Sequence, residues 1–182
     1  MNIVLLKHGD KYSADDVNRQ AQRIIKVSKS TINKIYCFTE NRTGVEIECI
    51  DIPGKPKLRR WWNKMHLFRD NFPLTGKCVL FDLDVEIKKD PFEYIKDIDF
   101  NYPTFMKDYW KEEKHIKVHA FNTLLNSSTL AWTAKKNTYI WDIFAKNIDY
   151  HTRKYKGIDR FFWHENIEWK TFDNGIHESI IV

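Results

Sequence analysis

The segment Cys78-Val-Leu-Phe-Asp-Leu-Asp-Val85 constrains the fold of this chain more than any other. It is a continuous apolar run of strand length, broken only by two aspartates near its C-terminal end, and it reads as a strand at the centre of a sheet. Residues two apart in a strand face the same way, so the carboxylates of Asp82 and Asp84 are expected to point into one pocket. An apolar strand does not carry two uncompensated carboxylates, so a cation is expected between them. Their oxygens are hard ligands suited to Mg²⁺ or Mn²⁺, which bind through one or two protein carboxylates together with substrate phosphates. The Asp-x-Asp pattern alone is weak evidence, because two aspartates at this spacing on a surface strand are merely solvated.

The rest of the chain supplies alternating elements around that strand. Ile3–Leu6 is a short apolar run. After the turn at Gly9-Asp10, Ser13 is placed to cap a helix through about Val27, with Val17, Ala21, Ile24 and Ser28 on one face. Ile35–Phe38 and Val45–Ile50 read as further strands. Pro53, Gly54 and Pro56 precede a helical spacing over Leu58–Asp70, which Pro73 and Gly76 end. Beyond the central strand, Pro91–Lys96 reads as a short helix, Ala120–Leu125 as a strand, Leu130–Ile148 as a long helix and Ile158–His164 as a short one. Ile167–Phe172 and His177–Val182 read as closing strands. This alternation predicts an α/β fold with an open, mostly parallel sheet flanked by helices, in which ligands bind beyond the carboxyl ends of the strands.

Length and composition narrow the setting. With 182 residues and 42% hydrophobic content, one domain over residues 1–182 is expected. No stretch reaches the roughly 20 apolar residues of a membrane span, and Met1–Leu6 is shorter than a signal peptide's apolar core, so a soluble, cytoplasmic protein is expected. Cys37, Cys49 and Cys78 are odd in number and lie in strand-like runs, which suits buried free thiols. The excess of 30 Lys and Arg over 25 Asp and Glu suits a phosphate-bearing ligand, nucleic acid or an anionic surface without choosing among them.

Several blocks in order resemble one known family: Lys7-His8-Gly9-Asp10-Lys11-Tyr12-Ser13, Cys37-Phe38-Thr39-Glu40, Trp61-Trp62-Asn63-Lys64-Met65, Leu80-Phe81-Asp82-Leu83-Asp84-Val85, Asn126-Ser127-Ser128 with Trp132, and Gly157-Ile158-Asp159. Together, over nearly the whole chain, they resemble the small glycosyltransferases of the GT-A (Rossmann-like) fold. The resemblance implies transfer of a sugar from a UDP- or GDP-sugar to a glycan or other hydroxyl acceptor with Mn²⁺ or Mg²⁺. It places Gly9, Asp10, Tyr12 and Thr39 near the base and ribose, Lys64 at the diphosphate or sugar, and Asp82 and Asp84 on the metal. Asn126, Ser127 and Ser128 are expected to bond sugar hydroxyls, although Ser128 is also placed to cap the following helix. Trp61 and Trp62 read as core anchors.

Asp159 falls where similar enzymes carry an Asp-Gln pair close to the transferred sugar, but the next residue here is Arg160. A histidine near the C-terminus, His177 or His164, is implied as a further metal ligand. For an inverting reaction, Asp108, His119 and Asp159 are the candidate bases. Two other readings compete. Leu80–Ile87 also resembles the nucleophile strand of haloacid-dehalogenase-like phosphatases, although that strand usually opens its domain and here about 80 residues precede it. The basic, aromatic-rich composition also suits a non-catalytic module that binds sugar or nucleic acid.

Overall fold

The computed structural model describes residues 1–29, 32–108, 123–165, 167–172, 176 and 180–181. Nine strands, β1 (Asn2–Lys7), β2 (Lys34–Thr39), β3 (Glu48–Asp51), β4 (Gly76–Phe81), β5 (Glu86–Ile87), β6 (Thr104–Lys107), β7 (Leu125–Ala134), β8 (Lys170–Thr171) and β9 (Ile180–Ile181), are found among these residues. The α-helices are α1 (Ala14–Val27), α2 (Phe92–Ile95), α3 (Tyr139–Ala145), α4 (Ile148–Lys154) and α5 (Ile158–His164), and Arg60–Phe68 forms a 3-10 helix. Seven strands make one sheet in the order β3-β2-β1-β4-β7-β6-β8. Strands β3, β2, β1 and β4 are parallel, β8 is parallel to β6, and β7 runs antiparallel to both β4 and β6. This is the expected α/β class with a mostly parallel sheet.

The unbroken apolar runs follow from burial on both faces. Val4, Leu6, Cys78, Leu80, Leu130 and Trp132 belong to a core under the 3-10 helix, α3 and α5, whereas Ile3, Leu5, Val79, Phe81 and Ala131 pack with α1 and α2. A strand covered on both sides has no polar face to alternate with. In the first core, Trp62 stacks on Phe144 at 5.3 Å between ring centroids and meets Phe161 edge to face at 6.3 Å. Truncating Trp62 to Ala is expected to cost about 3–5 kcal/mol through lost transfer energy and the cavity left behind.

Local signals explain where the elements start. Ser13 caps α1 as expected, its hydroxyl accepting from the Asp16 amide while the Asp16 carboxylate accepts from the Ser13 amide. Val17, Ala21 and Ile24 form the buried stripe, and Ser28 is the C-cap beyond it.

Five expectations need correction. The central strand ends at Phe81, so Asp82 and Asp84 lie on the turn that follows it rather than on its alternating face. Residues 130–134 continue β7 instead of starting a helix, because that segment is hydrogen-bonded to β4 and gains a full ladder there. The chain then turns at Lys135, whose φ is +67°, and the helical part is split into α3 and α4. Ser128 therefore sits inside a strand and caps no helix. The third parallel strand is shorter than expected and begins only at Glu48. Residues 58–70 hold a 3-10 helix whose residues from Trp62 to Phe68 are all buried, so the helical spacing of its apolar residues marked only part of what is covered. Among the described residues no helix is long and apolar enough to cross a membrane.

Candidate functional site

The carboxyl ends of adjacent strands bring the site together. β1 and β4 are in register with Leu5 opposite Phe81, so the loop His8–Tyr12 and the turn Asp82–Asp84 leave the sheet side by side. Because β7 is antiparallel, its first residues reach the same edge, and the Asp82 amide donates to the Ser128 carbonyl at 2.8 Å. The 3-10 helix contributes Lys64 from one side, and α5 contributes Asp159 from another.

Lys64 is the polar centre of this arrangement. Its ammonium, only 3% exposed, donates to Asp82 Oδ2 at 2.7 Å, to the Ser127 carbonyl at 2.7 Å and to Ser127 Oγ at 3.2 Å. Three acceptors satisfy three donors, which is what makes a buried lysine tolerable. Burial raises the Asp82 carboxyl above its ordinary value, and Lys64 pulls it partly back.

Asp84 is different. Its side chain is 55% exposed, and Oδ2 accepts from Tyr12 Oη at 2.8 Å and Lys11 Nζ at 3.1 Å. Partial burial pushes its carboxyl up, but the bonds from Tyr12 and Lys11 outweigh that and hold it below the usual range. It is therefore a fully ionised carboxylate facing open space at neutral pH.

Two adjoining cavities meet at these residues. The first, about 520 Å³, is walled by His8, Gly9, Asp10, Lys11 and Tyr12 on the β1 side. The second, about 440 Å³, is walled by Asp108, Asn126, Ser127, Ser128, Asp159 and Arg160. Trp61, Lys64, Asp82 and Asp84 border both. The first cavity has both apolar and polar walls, and the second is lined mostly by polar and charged side chains.

Of the residues singled out from the sequence, Gly9, Asp10, Tyr12, Lys64, Asp82, Asp84, Asn126, Ser127, Ser128 and Asp159 border this double cavity. Gly9 has φ +61°, a left-handed conformation suited to glycine, and its amide donates to the Glu40 carboxylate. Thr39 lines neither cavity. It is fully buried, and its hydroxyl is spent on the Asn41 backbone. Asn126 donates to Asp108 Oδ1 at 2.9 Å and accepts from the Ser128 amide at 2.8 Å, so its amide group is already oriented. Asp159 has one carboxylate oxygen buried without a hydrogen-bond partner, and burial raises its carboxyl against the opposing pull of Lys64 and Ser127. His164 is exposed and stacks on Tyr155, away from both cavities. His177 and His119 lie outside the described residues.

The structure adds residues that the sequence did not single out. His8 borders the first cavity, and burial lowers its imidazole while Glu40 and Asp82 pull it upward. A histidine directly after an apolar strand and before a turn glycine was the available signal. Trp61, expected from the sequence to be a core anchor like Trp62, corrects that expectation: Trp62 is buried, whereas Trp61 is 38% exposed and borders both cavities. Lys156 and Arg160 flank the second cavity.

The donor set fits a hard divalent cation of the open kind. Asp82 and Asp84 supply carboxylate oxygens next to free volume, and no cluster of three or more His, Cys, Asp or Glu is found among the described residues. An ion there would take the rest of its shell from phosphate and water.

No protein-family model matches the chain, and no curated protein matches it by sequence. Solved structures do match its fold. The galactosyltransferase LgtC, in a complex with donor and acceptor sugar analogues, superposes with a TM-score of 0.63 at 17% identity, over 89% of this chain and 69% of LgtC. GlyE of Streptococcus pneumoniae TIGR4 gives 0.63 at 13% identity over 95% of this chain but only 46% of its own. A glycosyltransferase involved in glycosylation of the major capsid of PBCV-1 gives 0.54 at 13% identity, over 94% of this chain and 80% of its own. The chain thus has a GT-A-like glycosyltransferase fold, and it spans less than half the length of GlyE.

Proposed function

We propose that this protein is a metal-dependent glycosyltransferase, with residues 1–182 acting as one nucleotide-sugar-binding unit. The observation that carries the reading is the Asp82–Asp84 turn at the junction of a nucleoside-sized cavity and a polar one, with Lys64 buried beside it. A UDP- or GDP-sugar would lie with its nucleoside against His8–Tyr12, its diphosphate at the turn, and its sugar towards Asn126, Ser127 and Asp159.

Asp84 would hold Mn²⁺ or Mg²⁺ directly, and Asp82 through water or by holding the ribose. The ion supplies Lewis-acid neutralisation of the diphosphate charge. Lys64 fixes Asp82 and places a positive charge near the growing charge of the leaving group, a preorganised arrangement in a partly dry site. As the glycosidic bond breaks, the diphosphate keeps the electron pair, and the acceptor hydroxyl oxygen bonds to the anomeric carbon and loses its proton. Asp159 and Asp108 are the carboxylates within the second cavity that could take that proton, and the raised carboxyl of Asp159 suits proton exchange nearer neutrality. The phosphatase alternative requires Asp82 to attack phosphate, and turnover of phosphomonoesters distinguishes it.

The test is release of nucleoside diphosphate from a panel of UDP- and GDP-sugars with Mn²⁺, for the wild type and Asp84→Asn. Turnover that needs metal and falls at least about 100-fold in the variant supports the reading. Turnover of phosphomonoesters instead, or undiminished activity of the variant, overturns it.

A further inference from the structure

One wall of the second cavity is built with unusual local constraints. Arg60 adopts φ +53°, a left-handed conformation that a non-glycine residue takes only when its surroundings enforce it. The residue it positions, Trp61, then packs its indole edge on Gly157, where an added Cβ would stand 3.3 Å from Nε1. Gly157 itself has φ +154°, again outside the ordinary range for a residue with a side chain. One costly backbone position, at Arg60, and one that favours glycine, at Gly157, thus hold an indole that stays 38% exposed at the junction of the cavities. The partly open Trp61 is not explained by core packing, which Trp62 provides.

The same glycine places two cations. Lys156 and Arg160 flank Gly157 and Asp159 and border the second cavity but not the first. Of the carboxylates that line the same cavity, Asp82 is engaged by Lys64, Asp84 by Lys11 and Tyr12, and Asp108 by Asn126, while Asp159, whose carboxyl burial raises, forms no ion pair with either cation among the described residues. Among the described residues neither Lys156 nor Arg160 has an ion-pair partner, and Arg160 is partly buried. A partly buried guanidinium and an exposed ammonium on the rim of one cavity, both without an ion-pair partner among the described residues, attract a carboxylate or phosphate group.

Resting on the nucleotide-sugar reading, we infer that the second cavity selects a sugar ring bearing an acidic group, with the Trp61 indole under the ring and Lys156 and Arg160 on the acid. The cations border the cavity assigned to the sugar and not the one assigned to the nucleoside, so the acid is assigned to a sugar and not to the donor diphosphate. It belongs either to the transferred sugar or to the acceptor.

The experiment has two arms. The first compares binding of nucleoside diphosphate uronates with the matching neutral hexoses in Mn²⁺. The second compares methyl uronosides and sugar phosphates with methyl hexosides, with and without nucleoside diphosphate. Charged ligands are expected to bind roughly tenfold more tightly, the effect of one good charge-assisted contact. Lys156→Gln and Arg160→Gln should erase that preference and leave plain nucleoside diphosphate binding unchanged, whereas Trp61→Ala should weaken charged and neutral sugars alike. Preference in the first arm identifies the transferred sugar as the acidic one; preference in the second alone identifies the acceptor. Equal binding of charged and neutral ligands in both arms overturns the inference, as does equal weakening of plain nucleoside diphosphate in the cation variants. If nucleoside diphosphates fail to bind at all, the nucleotide-sugar reading falls, while the second arm without nucleotide still decides this inference.

Discussion

Replacing Lys64 with Met keeps most of the aliphatic stem but removes an ammonium that holds Asp82 and Ser127 together. Losing one member of a fully buried ion pair costs about 3–5 kcal/mol, because the remaining charge stays in a poor solvent. Lys64 is 3% exposed but Asp82 keeps 27% of its side chain accessible, so water can relax part of that cost. About 2–3 kcal/mol is expected, or roughly 5–10 °C in Tm for a chain of this length. The loss should depend on pH. Burial already raises the Asp82 carboxyl, and without Lys64 it rises further above its unfolded value. A carboxyl raised by folding takes up its proton more readily in the folded state, so the variant loses stability as pH rises through the folded value. The gap to wild type is therefore largest near pH 7 and narrows towards pH 4. Adding Asp82→Asn should recover most of the loss, leaving about 1 kcal/mol for the unpaired Ser127 carbonyl. Urea unfolding of the four members of this cycle at pH 4.5 and 7.5 provides the measurement. A single-variant loss below about 0.5 kcal/mol, or no rescue by Asp82→Asn, would refute the argument that the pair is coupled.

Asp159→Asn should raise Tm by a few degrees near pH 7 by removing a buried charge, while lowering transfer, since the carboxylate is placed for chemistry at a cost to stability; equal or lower Tm with full activity contradicts this. Gly157→Ala should cost about 1–3 kcal/mol, because its φ of +154° disfavours a side chain and the new Cβ meets Trp61, a loss that differential scanning calorimetry would detect. At pH 8, a thiol reagent should label Cys49 well before the other two cysteines of the native protein: burial raises all three thiols, but Cys49 is partly exposed, whereas Cys37 is pushed up to about 12 and Cys78 up to about 11. Rapid labelling of two or three thiols would show that β2 and β4 are more open than described.

The parts of the fold legible in the sequence were those where one local signal is sufficient. Ser13 and Asp16 form a capping box, and Val17, Ala21 and Ile24 fix the buried face of α1. The runs Ile3–Leu6, Ile35–Phe38 and Cys78–Phe81 are apolar because both of their faces are covered. The misread segments are those decided by distant partners. Leu130, Ala131 and Ala134 carry helical spacing, yet the free ladder of β4 draws them into β7. No residue between 120 and 134 announces that pairing locally. The Asp82–Asp84 site illustrates a related limit. Its residue types indicated the chemistry, but the geometry arises from a turn beyond the strand, and the compensation comes from Lys64, 18 positions earlier. Cavity residues such as Trp61 and Arg160 were hidden for the same reason: exposure depends on what fails to cover a side chain, and only the assembled fold determines that.

The role proposed for the Asp82–Asp84 turn is to grip a metal-bound nucleoside diphosphate. Its most direct test is a thermal-shift panel of UDP, GDP and their sugars, with and without Mn²⁺, on the wild type and Asp84→Ala. A ligand that binds only the folded state at 100 times its Kd adds about 2.7 kcal/mol of stability. A Tm rise of several degrees is expected for one nucleotide class, dependent on Mn²⁺ and absent in Asp84→Ala. A shift that ignores Mn²⁺ and survives in the variant would contradict it, as would no shift with any member of the panel.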